Sequence, residues 1–291
     1  MSVLITGYKG YIGSHIYDYL ISNKYIVYGI DYNKFDIKNY NKLDDFCFNK
    51  NIKTIIHLAS FNDKEESINE PLKYYDNNIS ILINILKLID KNKIKNLIYS
   101  STASILNNDM SLIDIKSSHN PYYKTKIICE EIIEDYYKTN SKCNYTILRY
   151  FNVYGFTINK DITPFIRNNN SIFFKIQHYL LINNTKPFQI YGHNYDTNDG
   201  TCVRDYIHIE DLVKEHINYI DSNSNNIENV GTGKGMSVLE FVRMYKNVKY
   251  IFVNERQNDK DVLIKRNGSY IFFFNIIEVF SRKIYNFIKK T

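Results

Sequence analysis

Tyr122 and Lys126 stand one helical turn apart, so on a helix a phenol and an ammonium project from the same face. A cation so placed favours the phenolate, and a phenolate can take a proton from an alcohol. The spacing alone decides nothing. The chain holds 27 Tyr, about three Tyr-x-x-x-Lys pairs arise by chance, and Tyr245/Lys249 and Tyr285/Lys289 match as well. Context separates them, because only Tyr122 follows a run ending in Ser100-Ser101-Thr102, whose hydroxyls would lie at the carboxyl edge of a strand. A second feature, Gly7-Tyr8-Lys9-Gly10-Tyr11-Ile12-Gly13, lies between an apolar run and a helical pattern. Small residues there let the backbone turn tightly and approach a pyrophosphate at the helix N-terminus. Asp31 stands 18 residues past Gly13 at the end of the next apolar run, where a carboxylate accepts hydrogen bonds from an adenosine ribose. It would repel a 2′-phosphate, which selects NAD over NADP.

The elements that must hold these residues follow from periodicity. Residues 2–6, 25–30, 54–58, 96–101 and 145–151 read as strands. Between them, Ile12, Ile16, Tyr19 and Leu20 mark one helix, residues 40–49 a short polar one, and Leu72, Tyr75, Ile79, Leu82, Leu86 and Ile89 a long amphipathic one. Pro121 opens a further helix through Ile127, Ile133 and Tyr137. Such alternation predicts an α/β fold with a doubly wound parallel sheet, since parallel neighbours need crossover helices that pack on the sheet. After Phe151 the pattern loosens into a smaller second lobe with one clear helix near 173–181 and a capping box at Ser237-Val-Leu-Glu240. The expected division is 1–153 plus roughly 204–222 for the nucleotide-binding domain, and 154–203 with 223–291 for the second lobe. Gly231-Thr-Gly-Lys-Gly235 is not a P-loop, because no Ser or Thr follows the lysine and the glycine spacing is wrong.

Together the residues resemble the extended short-chain dehydrogenase/reductase family, and within it the UDP-glucose (UDP-galactose) 4-epimerase branch, from about Val3 to Asp259. The resemblance is carried by Gly7-x-x-Gly10-x-x-Gly13, His57-Leu-Ala-Ser60, Tyr74-Tyr-Asp-Asn-Asn78, Ser100-Ser-Thr-Ala103, Pro121-Tyr-Tyr-Lys-Thr-Lys126, Leu148-Arg-Tyr-Phe-Asn152 and the long stretch from Ile190 to His208. It implies a Rossmann-like domain with a substrate lobe, and Thr102, Tyr122 and Lys126 as catalytic residues. It further implies that Gly7, Gly10, Tyr11, Ile12, Gly13, Asp31, Asp36, Ile37, Leu58, Ala59, Ser60, Asn78, Ser100 and Phe151 line NAD together with Tyr122 and Lys126. Asn152, Phe188, Gln189, Tyr191, Arg204, Arg256 and Asp259 match positions that, with Thr102, hold a UDP-sugar. The chain departs from the pattern at Asn62, where the family has a lysine, at Tyr123, where it has a small residue, and beyond Asp259, where the segment is short and lacks a tryptophan. The family position that gates N-acetylated sugars falls on Leu263.

The implied reaction is inversion at C4 of a UDP-hexose through transient oxidation to a 4-keto sugar. Tyrosine has a pKa of about 10, so only about one phenol in a thousand is ionised near neutrality. Lowering that value by about three pH units, equivalent to about 4 kcal/mol, would populate the base. Lys126 and the positive nicotinamide ring are the expected source. Arg204 and Arg256 are expected to grip the diphosphate by charge-assisted bonds. A 4,6-dehydratase or decarboxylase on the same scaffold would need a carboxylic acid beside Thr102, where this chain has Ala103 and Ser104. An NAD-binding protein without catalysis is the other alternative, and the retained Thr102, Tyr122 and Lys126 argue against it.

Composition bounds the remainder. Hydrophobic residues make up 44% and charged residues 23%, which suits a globular chain, and the net charge of +6 is not gathered into a basic run, which argues against nucleic acid as a partner. Cys47, Cys129, Cys143 and Cys202 are never at CxxC or zinc-ligand spacing, so neither a metal site nor a disulfide framework is expected, and a reducing cytoplasm fits. Residues 2–6 read as a strand rather than a signal segment, and the apolar run 270–280 is broken by Asn275 and Glu278, so no membrane span is expected. The long helix carries Ile81, Ile83, Ile85 and Leu88 beside its sheet-facing stripe, a surplus that predicts a homodimer with this helix and that of Tyr122 at the seam.

Overall fold

The computed structural model describes residues 1–266 apart from 117, 140–142, 158–159, 162, 167–168, 183–184 and 257–259. In chain order the elements are β1 (Ser2–Thr6), α1 (Tyr11–Ser22), β2 (Ile26–Ile30), α2 (Tyr40–Cys47), β3 (Thr54–His57), α3 (Lys64–Asn69), α4 (Pro71–Asn92), β4 (Asn96–Thr102), α5 (Pro121–Thr139) and β5 (Asn144–Tyr150). They continue as β6 (Asn152–Tyr154), α6 (Thr163–Ile166), α7 (Ile172–Leu181), β7 (Phe188–Tyr191), β8 (Val203–His208), α8 (Ile209–Asn218), β9 (Asn226–Val230), β10 (Gly235–Ser237), α9 (Val238–Arg243), β11 (Tyr250–Val253) and β12 (Val262–Leu263). The chain divides into one unit of Met1–Asn107, Ser111–Tyr150 and Leu212–Val230, and a second of Asn108–Met110, Phe151–Asp211 and Gly231–Thr291.

The first unit is a parallel sheet in the order β2-β1-β3-β4-β5-β9. The chain leaves β1 in one direction for β2 and then crosses back to β3, so a topological switch point lies beside β1, where open α/β sheets take their ligands. Side chains alternate across the sheet. Leu4, Ile55, Leu97 and Ile147 join a core with Ile81, Leu82, Ile85, Leu86, Leu88 and Ile89 of α4 and Ile133 of α5. Their strand neighbours Val3, Ile5, Ile56, Ile98 and Leu148 are equally inaccessible, as are Ile16 and Leu20 of α1, so both faces are covered as a parallel sheet requires. Each such Leu or Ile contributes about 1.5–3 kcal/mol by leaving water. Local chemistry sets the helix ends: Asn39 caps α2, Asp63 caps α3, Pro71 opens α4 and Lys93 closes it in the left-handed conformation at φ 52°.

The second unit is built around β8, which pairs antiparallel with β10 and parallel with β12 and β6, while β7 and β11 form a separate parallel pair. Tyr206 and Phe241 stack at 4.4 Å with 6° between their planes, and the Ser237–Glu240 capping box starts α9. Asp205 is fully buried and takes bonds from Thr232 N (2.8 Å), Thr232 Oγ1 (2.7 Å), Gly233 N (2.8 Å) and Lys265 N (3.2 Å). The Gly231–Gly235 segment is therefore a clasp around a carboxylate, with Gly233 at φ +73° where a side chain would be strained.

Two expectations change. The segment that returns to the first unit is Leu212–Val230 rather than roughly 204–222, and the first boundary falls after Tyr150. The reason is strand pairing, since β8 and β6 bond to second-unit partners and β9 bonds to β5. Most of the apolar surplus on α4 is also taken up within the chain itself. Ile81, Ile85 and Leu88 are at most 5% exposed in the single chain because they pack in the core of the first unit, whereas Ile83 is 38% exposed. The apolar run 270–280 lies outside the described residues.

Candidate functional site

In the first unit the site begins at the turn after β1. Gly7 has φ +71° and donates its N–H to Ile30 O at 2.7 Å, which closes β1 against the end of β2. A Cβ at Gly13 would meet Gly7 O at 2.3 Å, so only glycine lets α1 start this close to the turn. Gly10 occupies the N-cap of α1, no side chain caps that terminus and no acid lies in its first turn, which leaves the positive end of the helix dipole for an external anion. Tyr11 and Ile12 follow Gly10 as the first residues of the helix.

Asp31 closes β2 at 6% exposure. Both of its carboxylate oxygens are buried without a hydrogen-bond partner among the described residues, and the Lys9 ammonium is 3.7 Å from one of them. Buried polar atoms are ordinarily satisfied, so this carboxylate is arranged for donors that come from outside the chain. A ribose diol supplies two. The glycine cradle, the uncapped helix end and the unsatisfied carboxylate together fit a dinucleotide. Asp36 stands apart on an exposed turn, its carboxylate taking Lys38 N at 2.9 Å and lying 3.9 Å from the Lys38 ammonium, while the Ile37 side chain is buried in the core.

Past β3, Thr6 Oγ1 accepts from Leu58 N and Ala59 N at 3.2 Å each and lies 2.7 Å from His57 Nδ1. Burial first, and then the nearby Lys126 charge, lowers the His57 pKa to about 3, so the ring beside the Thr6 hydroxyl is neutral. This ties the carboxyl ends of β1 and β3 together. Asn78 of α4 is 2% exposed, and its amide is committed to Phe61 N (2.8 Å), Phe61 O (3.1 Å) and Thr125 Oγ1 (3.1 Å). It clamps the 58–61 loop between α4 and α5.

The catalytic expectation converges on α5, whose N-terminus is capped by Asn120 Oδ1 accepting from Tyr123 N at 3.2 Å. Lys126 is 2% exposed, and its ammonium donates to Ser100 O at 2.7 Å and Ser60 Oγ at 3.2 Å, 5.0 Å from the Tyr99 ring centroid and 6.0 Å from that of Tyr122. Burial lowers its pKa to about 8, while Cys129 and Glu130 pull the other way. Thr102 ends β4 and accepts from Ser104 N at 3.2 Å, opening the Ala103–Ile105 turn. Burial raises the Tyr122 pKa, and a hydrogen bond with the Thr102 side chain opposes that rise. In the chain without a dinucleotide, desolvation outweighs that bond, and the Lys126 ammonium is held by Ser100 and Ser60. Behind these groups Glu130 is buried against Arg149 and Ser101, a cluster whose only sequence signal is Glu130 falling one turn after Lys126. The decoy Tyr245 is buried at 9% exposure in the second unit and Tyr285 lies outside the described residues.

The second unit gathers the residues expected at a sugar nucleotide. β7 carries Phe188, Gln189 and Tyr191, and the Arg256 guanidinium lies 3.9 Å from the Tyr191 ring centroid. Arg204 donates to Val203 O at 2.9 Å and Lys260 O at 2.7 Å, fixing the chain just beyond Arg256, and Leu263 is its register partner across β12. Asn152 is exposed at the start of β6, and Phe151 is buried beside Gly231. Asp259 lies outside the described residues. Among the described residues no group of three or more His, Cys, Asp or Glu is placed to hold a metal ion, and no helix is long and apolar enough to cross a membrane.

Residues 3–231 match the NAD dependent epimerase/dehydratase family. The chain belongs to that family. It is 33% identical over 298 residues to the UDP-glucose 4-epimerase of Dictyostelium discoideum, covering 88% of this chain and 85% of that protein. Among solved structures it is similar to the UDP-glucose 4-epimerase of Bifidobacterium longum in complex with NAD+ and UDP, at TM-score 0.74 and 28% identity over 90% of this chain and 89% of the other. It is likewise similar to the UDP-Glc/GlcNAc 4-epimerase of Campylobacter jejuni, at TM-score 0.78 and 25% identity over 100% of this chain and 99% of the other. This family member has the α/β fold with a parallel central sheet expected from its alternating elements.

Proposed function

We propose that this chain interconverts UDP-hexoses at C4, with NAD as a resident cofactor and Thr102, Tyr122 and Lys126 as the catalytic residues. The observation that carries the reading is the meeting of Tyr122, Thr102 and the buried Lys126 ammonium at the carboxyl end of β4, in a unit whose β1 turn and Asp31 fit a dinucleotide. The relatives named above act as UDP-glucose 4-epimerases, which supports the same substrate class here.

NAD, held by the Gly7–Gly13 turn and Asp31, supplies a reversible hydride acceptor when bound. Tyr122 Oη takes the proton of the C4 hydroxyl and later returns it, while the Thr102 hydroxyl orients both oxygens. Lys126 Nζ, buried yet still charged below about pH 8, supplies the positive field that offsets the desolvation of a phenolate. Ser100 O and Ser60 Oγ hold that ammonium in place. Arg204 and Arg256, with Tyr191 stacked on the latter, hold the diphosphate, so the hexose needs few contacts of its own and can present either face. Asn152, Phe188, Gln189 and Asp259 complete that grip.

A dehydratase or decarboxylase reading is disfavoured by the Ala103–Ile105 turn, which puts no carboxylic acid beside Thr102. The same proposal includes a cytoplasmic homodimer, with the exposed side of α4 around Ile83 at its seam. The test is incubation of purified protein with UDP-glucose, UDP-galactose and their N-acetyl forms, followed by separation of 4-epimers. Interconversion of at least one pair is expected, with turnover reduced at least about 10²-fold in Tyr122→Phe and NAD binding retained. No epimer from any of the four, or a Tyr122→Phe protein of full activity, refutes the reading.

A further inference from the structure

Glu130 follows Lys126 by one turn of α5 and is 3% exposed. Its carboxylate receives Arg149 Nη2 at 2.6 Å and Arg149 Nε at 3.1 Å to each oxygen, and it also accepts from Ser101 Oγ. Ser101 and Arg149 are register partners on β4 and β5. Ser101 is also the residue between Ser100, whose carbonyl holds the Lys126 ammonium, and Thr102, whose side chain lowers the Tyr122 pKa against burial. One buried carboxylate thus joins the helix that bears Tyr122 and Lys126 to the strand that bears their partners.

Stability alone does not account for such a cluster. A buried ion pair adds little net stability over an apolar core of the same volume, because both charges must be taken out of water. What it does is restrict geometry: the carboxylate is satisfied at one place on the sheet, and leaving it or Arg149 without the other is costly. An apolar contact would tolerate a slide of the helix along the strand, and a displacement of about 1 Å at reacting groups can cost about 10² in rate.

We propose that Glu130 is a positioning residue which, through Ser101 and Arg149, sets the register of α5 on β4 and so the placement of Tyr122 Oη and Lys126 Nζ against Thr102. The inference rests on the catalytic reading above. The titratable and charged groups around Lys126 are Tyr122, Cys129 and Glu130 on its own helix, Tyr99 on β4 and His57 on β3. Of these, Glu130 is the carboxylate whose charge helps to keep Lys126 protonated against burial.

The test uses Ser101→Ala, which removes one hydroxyl and leaves the ion pair, and Glu130→Gln, which removes the charge. For Ser101→Ala the expected result is kcat lowered about tenfold with KM within about twofold, because the contact acts on reacting groups rather than on sugar-nucleotide binding. NAD content and melting should stay near wild type. For Glu130→Gln the alkaline limb of the kcat profile should move to lower pH by about half a unit or more, as Lys126 loses its proton earlier. A Ser101→Ala protein with kcat within about twofold of wild type overturns the proposal. So does one that loses NAD or fails to fold, since the tie would then serve the fold, and so does a Glu130→Gln profile that does not move. A wild type without turnover, or a fully active Tyr122→Phe, instead refutes the catalytic reading, a pattern that no Ser101 result produces.

Discussion

Replacing Lys126 with Met tests whether a charged lysine is truly held in the interior. The side chain is 2% exposed and its pKa falls from 10.5 to about 8 through burial. The unfolded chain therefore binds this proton more tightly than the folded one. Protonated Lys126 opposes folding at every pH below about 8, and the opposition fades as pH rises toward 10.5, where neither state is charged. The full effect is about 3 kcal/mol at about 1.4 kcal/mol per pH unit, of which about 2 kcal/mol falls between about pH 7 and 9.5. Met fills a similar volume without titrating. It leaves Ser100 O without its donor at a cost of about 1–3 kcal/mol, and that cost does not depend on pH. Urea unfolding of both proteins at the two pH values, without dinucleotide, removes such constant terms in the double difference. Wild type should gain about 2 kcal/mol more than Lys126→Met on going from the lower to the higher pH. A double difference below about 0.5 kcal/mol, or of opposite sign, would refute the claim that the ammonium is buried. The same variant should lose turnover by about 10²–10⁴-fold, because Tyr122 loses its cation.

Asp31→Ala should raise the Kd for NAD about 10²-fold in a calorimetric titration, since two charge-assisted bonds from the ribose are lost, and should narrow the preference over NADP. The dinucleotide-free variant should melt no lower than wild type, because Asp31 has no hydrogen-bond partner to lose. Asp205→Ala should cost at least about 3 kcal/mol in urea unfolding, as it orphans the N–H groups of Thr232, Gly233 and Lys265 together with the Thr232 hydroxyl. Ile83→Glu should convert a dimer to a monomer of 34.6 kDa in light scattering without loss of fold, whereas a charge at the fully buried Ile85 should unfold the chain.

The sheet was legible because its signals are local and redundant. β1 is five consecutive buried residues followed by a glycine that must turn, and the spacing of Leu82, Leu86 and Ile89 admits only a helix against a sheet. The boundary of the second unit was not legible, because it depends on which strands β8 and β9 bond to, and strand pairing is a long-range choice that leaves no period in the sequence. The burial on α4 was illegible for a similar reason. Periodicity counts apolar residues on a helix but does not say how many neighbours surround it, and a helix covered on several sides buries Ile81, Ile85 and Leu88 without any second chain.

For the site, residue type and spacing located Tyr122, Lys126 and Asp31, while the electrostatics needed coordinates. A lysine one turn from a tyrosine reads as a neighbouring cation, yet the ammonium bonds to Ser100 and Ser60, and burial dominates the phenol. The two buried aspartates carry the same point further. Asp31 and Asp205 are the same residue type, and both are nearly or wholly shielded from water. Asp205 is surrounded by four donors from its own unit and holds a loop closed, whereas neither oxygen of Asp31 has a hydrogen-bond donor among the described residues. A carboxylate that the fold satisfies belongs to the fold, and one that the fold shields and leaves unsatisfied is shaped for a ligand. That distinction lies in the donors around the side chain, which come from residues distant in sequence, so it becomes visible only once the chain has folded.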